Sequence, residues 1–199
     1  MTFSLQKQFR QPKGILGWMI GKVMEIDNRK INKWSINKMP IRRGDHILEI
    51  GYGPGYCIQK IIQKYPGCTV DGVDISSTMK EAAGQKNKDA IKKEKVHLFV
   101  HDISEFQLED KQYDHIFSVN NYPLWSDTDK ALSHLYHMLK PGGTLVITVQ
   151  PRGEEEKDSR ARGYGREISE RLTSAGFKNI ETSYKKIRPS LTVLVKCEK

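Results

Sequence analysis

Ile47-Leu48-Glu49-Ile50 runs straight into Gly51-Tyr52-Gly53-Pro54-Gly55, and this junction narrows the range of folds more than any other stretch of the chain. The apolar run, crossed by a single acid, reads as a strand. The three alternating glycines read as a loop where the backbone takes left-handed angles and a ligand meets main-chain N–H groups, since glycine has no Cβ to obstruct either. Pro54 suits the first turn of a following helix, which continues through Ile58, Ile61 and Ile62. Strand, glycine loop and helix in that order form half of a βαβ unit, the building block of a parallel sheet.

Spacing narrows the ligand. A dinucleotide loop needs glycine at its first, third and sixth positions, and here the sixth is Tyr56. Val70 to Asp74 is a second strand ending in an acid, and Asp74 stands twenty-three residues beyond Gly51. That is about where nucleoside-binding sheets place the carboxylate that reads ribose hydroxyls, and one carboxylate accepts from both. Val96 to Val100 leads to a third acid, Asp102. His115 to Val119 is a fourth strand closing at Asn120, and Leu139-Lys140-Pro141-Gly142-Gly143 opens a fifth, Thr144 to Gln150.

Glycines at the first, third and fifth positions, with Glu49 two residues ahead, resemble motif I of the class I S-adenosylmethionine-dependent methyltransferases. The Leu-Lys-Pro-Gly-Gly run resembles the loop before their fifth strand. The resemblance covers the chain from about Gly44 to its C-terminus. It implies a Rossmann-like, seven-stranded, mainly parallel sheet with an antiparallel last strand, helices on both faces, and an N-terminal helical lid. Residues 1–44 would be the lid and residues 45–199 the methyltransferase domain. It further implies an enzyme that uses S-adenosyl-L-methionine and releases S-adenosyl-L-homocysteine.

The same resemblance implies roles. The loop of Gly51, Tyr52, Gly53 and Gly55 would face the methionine and ribose parts, with Glu49 at the methionine amino end and Asp74 on the ribose. Asp102 would accept from the adenine amino group and the Ile103 N–H would satisfy a ring nitrogen. Ile75 and Met79 suit the adenine faces, although for Met79 ordinary helix core is an equal reading. Asn120, Tyr122 and Trp125, just past strand four, are the candidates to line the acceptor side. No general base is legible, because a base is defined by its reach to a particular proton. Asn120-Asn121-Tyr122-Pro123 has the wrong order for the Asn-Pro-Pro-Tyr signature of enzymes that methylate exocyclic amino groups of bases.

The hydrophobic content, 37% over 199 residues, suits one core. Cys57, Cys68 and Cys197 form no CxxC pair, and His101, His134 and His137 have no ligand-spaced partners, so neither a disulfide framework nor a metal site is expected. A cytoplasmic location fits this cysteine use, and no apolar run approaches the length of a membrane span. The net charge of +9 is unevenly spread: residues 1–44 hold ten Lys or Arg against Glu25 and Asp27. Apolar residues from Ile15 to Ile26 recur there at helical spacings. The segment reads as a lid over the site, as an amphipathic contact with anionic lipid, or as both.

The expected acceptor is a small or lipid-like molecule. Two other classes compete: an RNA-modifying enzyme, disfavoured because aromatic residues do not interleave with the basic ones, and a non-catalytic module that only senses the cofactor. In the remaining chain a helix is expected over Ser77 to about Lys93, a mobile loop over Pro151 to Gly165, and a helix over Arg166 to Ala175. A closing hairpin follows near Asn179–Tyr184 and Leu191–Cys197.

Overall fold

Apolar side chains on successive residues of the central strands require a sheet covered on both faces, and that is what forms. The computed structural model describes residues 28–108, 112–152 and 157–199. The seven strands are β1 (His46–Ile50), β2 (Thr69–Asp74), β3 (Val96–Val100), β4 (Tyr113–Val119), β5 (Leu139–Val149), β6 (Lys178–Ile187) and β7 (Ser190–Glu198). They make one sheet in the order β3-β2-β1-β4-β5-β7-β6. Every pair from β3 across to β5 is parallel, and β7 alone runs antiparallel to its neighbours. The chain steps outward from β1 to β3 and then returns to β4 on the other side of β1. Strand order therefore reverses between β1 and β4, and the crevice at their carboxyl ends is where such sheets bind ligands.

The two-residue period of the strands divides the core into two. Leu48 and Ile50, Ile116, Leu145 and Ile147, and Val193 and Val195 pack on one face. Ile47, Phe117, Val146 and Leu194, their immediate neighbours in sequence, pack on the other. The first face is covered by α5 (Thr128–Met138) and α6 (Asp158–Ser174). The second is covered by α1 (residues 28–36 as described), α2 (Tyr56–Lys64) and α3 (Ser77–Lys86), with α4 (Lys88–Lys92) following.

Helix α1 is bound to the sheet by burial. Ile31 and Ser35 are fully buried, Ile36 and Met39 nearly so, and fully burying an aliphatic side chain contributes roughly 1.5–3 kcal/mol. Ser35 Oγ lies 2.8 Å from Thr148 Oγ1 of β5. The helix ends ahead of Pro40, as its sequence predicts. Residues 1–27, which carry most of the expected lid and lipid contact, lie outside the described residues. Among the described residues no helix is long and apolar enough to cross a membrane.

Four local expectations are corrected. Pro54 does not start the helix: it sits in a turn closed by the Gly55 N–H on Tyr52 O (2.9 Å), and left-handed Gly55 caps α2. The single helix expected after Ser77 divides at Asn87, whose buried amide donates to Gly55 O (3.1 Å) and Ala83 O (3.0 Å). Strand β5 begins at Leu139, with Leu139 paired to Tyr113 ahead of a register shift. The stretch expected as a loop to Gly165 is helical from Asp158. Ala161, Tyr164, Gly165, Ile168 and Leu172 fall on one buried stripe, and the polar residues that suggested a loop form its solvent face. A Cβ at 165 would meet the Tyr184 hydroxyl, so the exposed end of that side chain would have to move aside for any larger residue.

Candidate active site

The glycine loop leaves β1 with all three glycines at positive φ, but for different reasons. A Cβ on Gly51 would collide with the Asn121 amide, and one on Gly55 would come within 2.6 Å of Asn87 Nδ2 and 2.8 Å of the Ala83 Cβ. These two glycines permit close packing. A Cβ on Gly53 would meet nothing within 4 Å, so its need is conformational. The loop is pinned to β2 by the Gly51 N–H on Val73 O (2.7 Å) and the Gly53 N–H on Asp74 Oδ2 (2.9 Å). Asp74 Oδ1 accepts from the Ser76 N–H at 2.9 Å, and Ser76 caps α3 through the Met79 N–H.

Glu49 lies beneath this loop, 4% exposed. Burial pushes its carboxyl well above the usual carboxylate range. The Cys57 thiol and the Ile58 N–H act the other way, and the nearby Asp74 charge adds to the rise. Among the described residues its Oε2 is buried with no hydrogen-bond partner. Burial likewise raises Asp74, against the N–H groups of Gly53, Ser76 and Ile75. A buried carboxyl with an unsatisfied oxygen, near enough to the part-buried Asp74 to feel its charge, makes a site for a positively charged, hydrogen-bond-donating group.

Beyond the strand ends a cleft brings Gly51, Asp74, Ile75, Asp102, Ile103 and Trp125 together, six of the residues singled out from sequence. Asp102 follows β3. Burial opposes its charge, but bonds from the Ser104 N–H (2.9 Å) and Ser104 Oγ (2.8 Å) prevail and, with Ser126 and Lys130 nearby, hold it below the usual range. Asp102 therefore presents a carboxylate, an acceptor only.

Other candidates stand elsewhere. The Tyr52 side chain turns into the core against Gly72, and its hydroxyl donates to Phe99 O at 3.2 Å. Met79 is buried in the core beneath α3. Asn120, at a φ of 54°, accepts from the Gln150 N–H (2.7 Å) and donates to Asn28 Oδ1 (2.9 Å), which also accepts from Arg152 (2.6 Å). Its amide joins β4, β5 and α1. Tyr122 supports Trp125, ring centroids 5.1 Å apart, and its hydroxyl donates to Glu167 at 3.1 Å. Burial and the Glu167 charge push that hydroxyl up, so it is a donor and not a base.

Asn121, which the sequence did not single out, lines the cleft instead. Its amide lies over Gly51 and accepts from Trp125 Nε1 at 2.9 Å. The left-handed turn at Asn120 decides which of the two adjacent asparagines faces the cleft, and no periodicity encodes it. His101 and Leu124 complete this wall.

Known proteins fit this geometry. A family model described as a methyltransferase domain matches residues 47–143. The uncharacterized methyltransferase YdaC of Bacillus subtilis is 36% identical over 179 residues, covering 90% of this chain and 97% of its own. A malonyl-[acyl-carrier protein] O-methyltransferase of Priestia megaterium is 36% identical over 107 residues, and the match spans 54% of this chain but only 37% of that protein. In structure, a phosphoethanolamine N-methyltransferase of Haemonchus contortus, solved with phosphomonomethylethanolamine and S-adenosylhomocysteine, superposes with a TM-score of 0.69 at 21% identity. It covers 86% of this chain and 52% of its own. The match to YdaC spans nearly the whole of both chains, and together with the methyltransferase-domain match and the shared fold it shows that the chain belongs to the class I S-adenosylmethionine-dependent methyltransferases.

Proposed function

We propose that this protein transfers the methyl group of S-adenosyl-L-methionine to a small acceptor that carries an anionic group. The observation that carries the cofactor half is the unpartnered, buried Glu49 Oε2 beside Asp74. Glu49 would receive the cofactor's ammonium and Asp74 its ribose hydroxyls, exchanging the Gly53 N–H for a ligand or sharing it. Asp102 would accept from the adenine amino group, with Ile75 and Ile103 against the ring. The bound cofactor supplies an electrophilic methyl on a sulfonium. The protein's part is placement: Asn121, held by Trp125, and the aromatic pair Tyr122–Trp125 would shape the wall against which the acceptor lies in line.

Support for an anionic acceptor is chemical. Relatives named for their acceptors include methyltransferases of a carboxylate-bearing malonyl group and of a phosphorylated amine. A chain with a net charge of +9 attracts such molecules by its long-range field. Calorimetry with S-adenosylmethionine and S-adenosylhomocysteine tests the first half: both bind, and Asp74→Ala loses most of that affinity. A wild-type protein that ignores both ligands ends the proposal. Release of S-adenosylhomocysteine is then followed over acceptors paired by charge, such as a phosphorylated amine against the free amine. Preference for the neutral member of each pair would remove the acceptor half.

A further inference from the structure

On the second face of the sheet, α1 and α2 lie side by side. They are fastened at one end by Arg29 over the Tyr56 ring (5.7 Å to the centroid) and at the other by Lys64 Nζ donating to Asn37 Oδ1 (3.0 Å). Between them runs a groove lined by Arg29, Lys30 and Lys33 from α1 and Tyr56, Lys60 and Lys64 from α2. It is separate from the cleft at the strand ends and shares no lining residue with it.

The five cations converge without acids. Among the described residues none pairs with a carboxylate: Lys60 and Lys64 meet the amides of Gln63 and Asn37 and the rings of Tyr56 and Tyr65. Cations elsewhere on the surface do find acids: Lys130 with Glu105, Lys140 with Asp114, Arg171 with Asp129. Arg29 and Lys33 stand four apart on α1, as do Lys60 and Lys64 on α2, and like charges at that spacing destabilise a helix. Both helices bear that cost toward the same groove.

We infer that this groove is a docking site for an acidic segment of a partner protein, with carboxylates on successive helical turns meeting the two rows of cations. Such rows repeat at about 6 Å, the rise of four helical residues. A lipid surface fits less well. The groove is concave, and among the described residues Tyr184, on β6, is the only exposed large hydrophobic side chain available to insert. A single nucleic-acid strand wants aromatic faces for its bases, and Tyr56, the aromatic residue lining the groove, already has Arg29, Lys60 and Lys86 within 6.0 Å of its ring centroid. Residues 1–27 do not complement the groove in charge, holding four Lys or Arg against two acids.

The test is binding of a fluorescein-labelled helical peptide with glutamate at every fourth position to the full chain, read by anisotropy. Saturable binding is expected, weakening as salt rises from about 50 to about 200 mM. Lys33→Glu/Lys60→Glu should lose at least tenfold (about 1.4 kcal/mol), whereas Lys92→Glu/Lys93→Glu, on the exposed end of α4, should bind as wild type. Thermal unfolding and S-adenosylhomocysteine binding check that the variants fold and keep this reading separate from the catalytic one. If the charge reversal impairs folding, Lys33→Gln/Lys60→Gln takes its place. The inference is overturned if the peptide does not bind or if both double variants lose it equally. It is also overturned if poly-uridylate, or vesicles of equimolar phosphatidylcholine and phosphatidylserine, bind the groove in preference to the peptide.

Discussion

Replacing Glu49 by glutamine keeps the volume of a side chain that is 4% exposed and removes its ability to take a charge. The carboxyl is held above its ordinary 4.5, so in the absence of ligand the folded protein keeps a proton that the unfolded chain gives up. Stability from this source is complete below pH 4.5 and is lost as the pH rises through the folded value. Each unit of elevation corresponds to about 1.4 kcal/mol. Glutamine does not titrate, so Glu49→Gln should flatten that part of the pH–stability curve. It should stabilise the ligand-free protein at pH 8 by about 1–2 kcal/mol, the order of the desolvation penalty on a buried polar group, because the amide has no ionised form to desolvate. For a chain of this size that raises Tm by about 2–8 °C.

Binding should move the other way. A hydrogen bond to a charged group is worth about 1.5–3 kcal/mol, so S-adenosylhomocysteine should bind Glu49→Gln roughly 10- to 150-fold more weakly. An ammonium placed beside Glu49 favours the ionised form, so the wild type should release a proton on binding that the variant does not. Calorimetry in phosphate and in Tris, whose ionisation enthalpies differ, measures that proton directly. Equal affinities, equal Tm and equal proton release in the two proteins would refute the role assigned to Glu49.

Gly72→Ala would put a Cβ 2.6 Å from the Tyr52 ring and 3.1 Å from Ile58 Cδ1; overpacking of this kind costs about 1–3 kcal/mol, readable by urea denaturation. Asn121→Ala removes the partner of Trp125 Nε1 and should lower cofactor affinity and turnover with little change in stability. Asn120→Ala breaks the link between β4, β5 and α1 and should cost about 1–3 kcal/mol of stability, so thermal melts and binding assays on the pair separate the two roles. His115 is held below its ordinary 6.5 chiefly by burial, although Asp45 opposes this. The unfolded chain therefore takes up a proton first, and stability should fall as the pH drops below about 6.5. His115→Gln should reduce that acid sensitivity, and an unchanged pH profile would contradict it.

Much of this was legible because the signals were periodic or punctuated. Apolar runs such as Leu145–Val149 gave strands buried on both faces, and Gly51, Gly53 and Gly55 marked the turn out of β1. Acids and amides at strand ends followed at the spacings a doubly wound sheet requires. Helix α6 was misread at its start because Arg160, Arg162, Gly163 and Gly165 have the composition of a loop, while the stripe that makes it helical is defined by packing against β6 and β7. Tyr52 lies within the glycine loop and Met79 a few residues after Asp74, yet both point into the core, since neighbours along a strand end or a helix face different ways.

By itself the sequence determined the class of fold, the order of its elements and the strand-end residues that meet at the cleft, because those rest on local preferences and spacings that a chain carries with it. Only the tertiary structure decided that Asn121, not Asn120, faces the cleft, that Glu49 is left with an unpartnered oxygen, and that cations thirty residues apart line one groove. Each of these depends on which distant segments are brought together and on what water is excluded when they meet, and neither is written in any one stretch of residues.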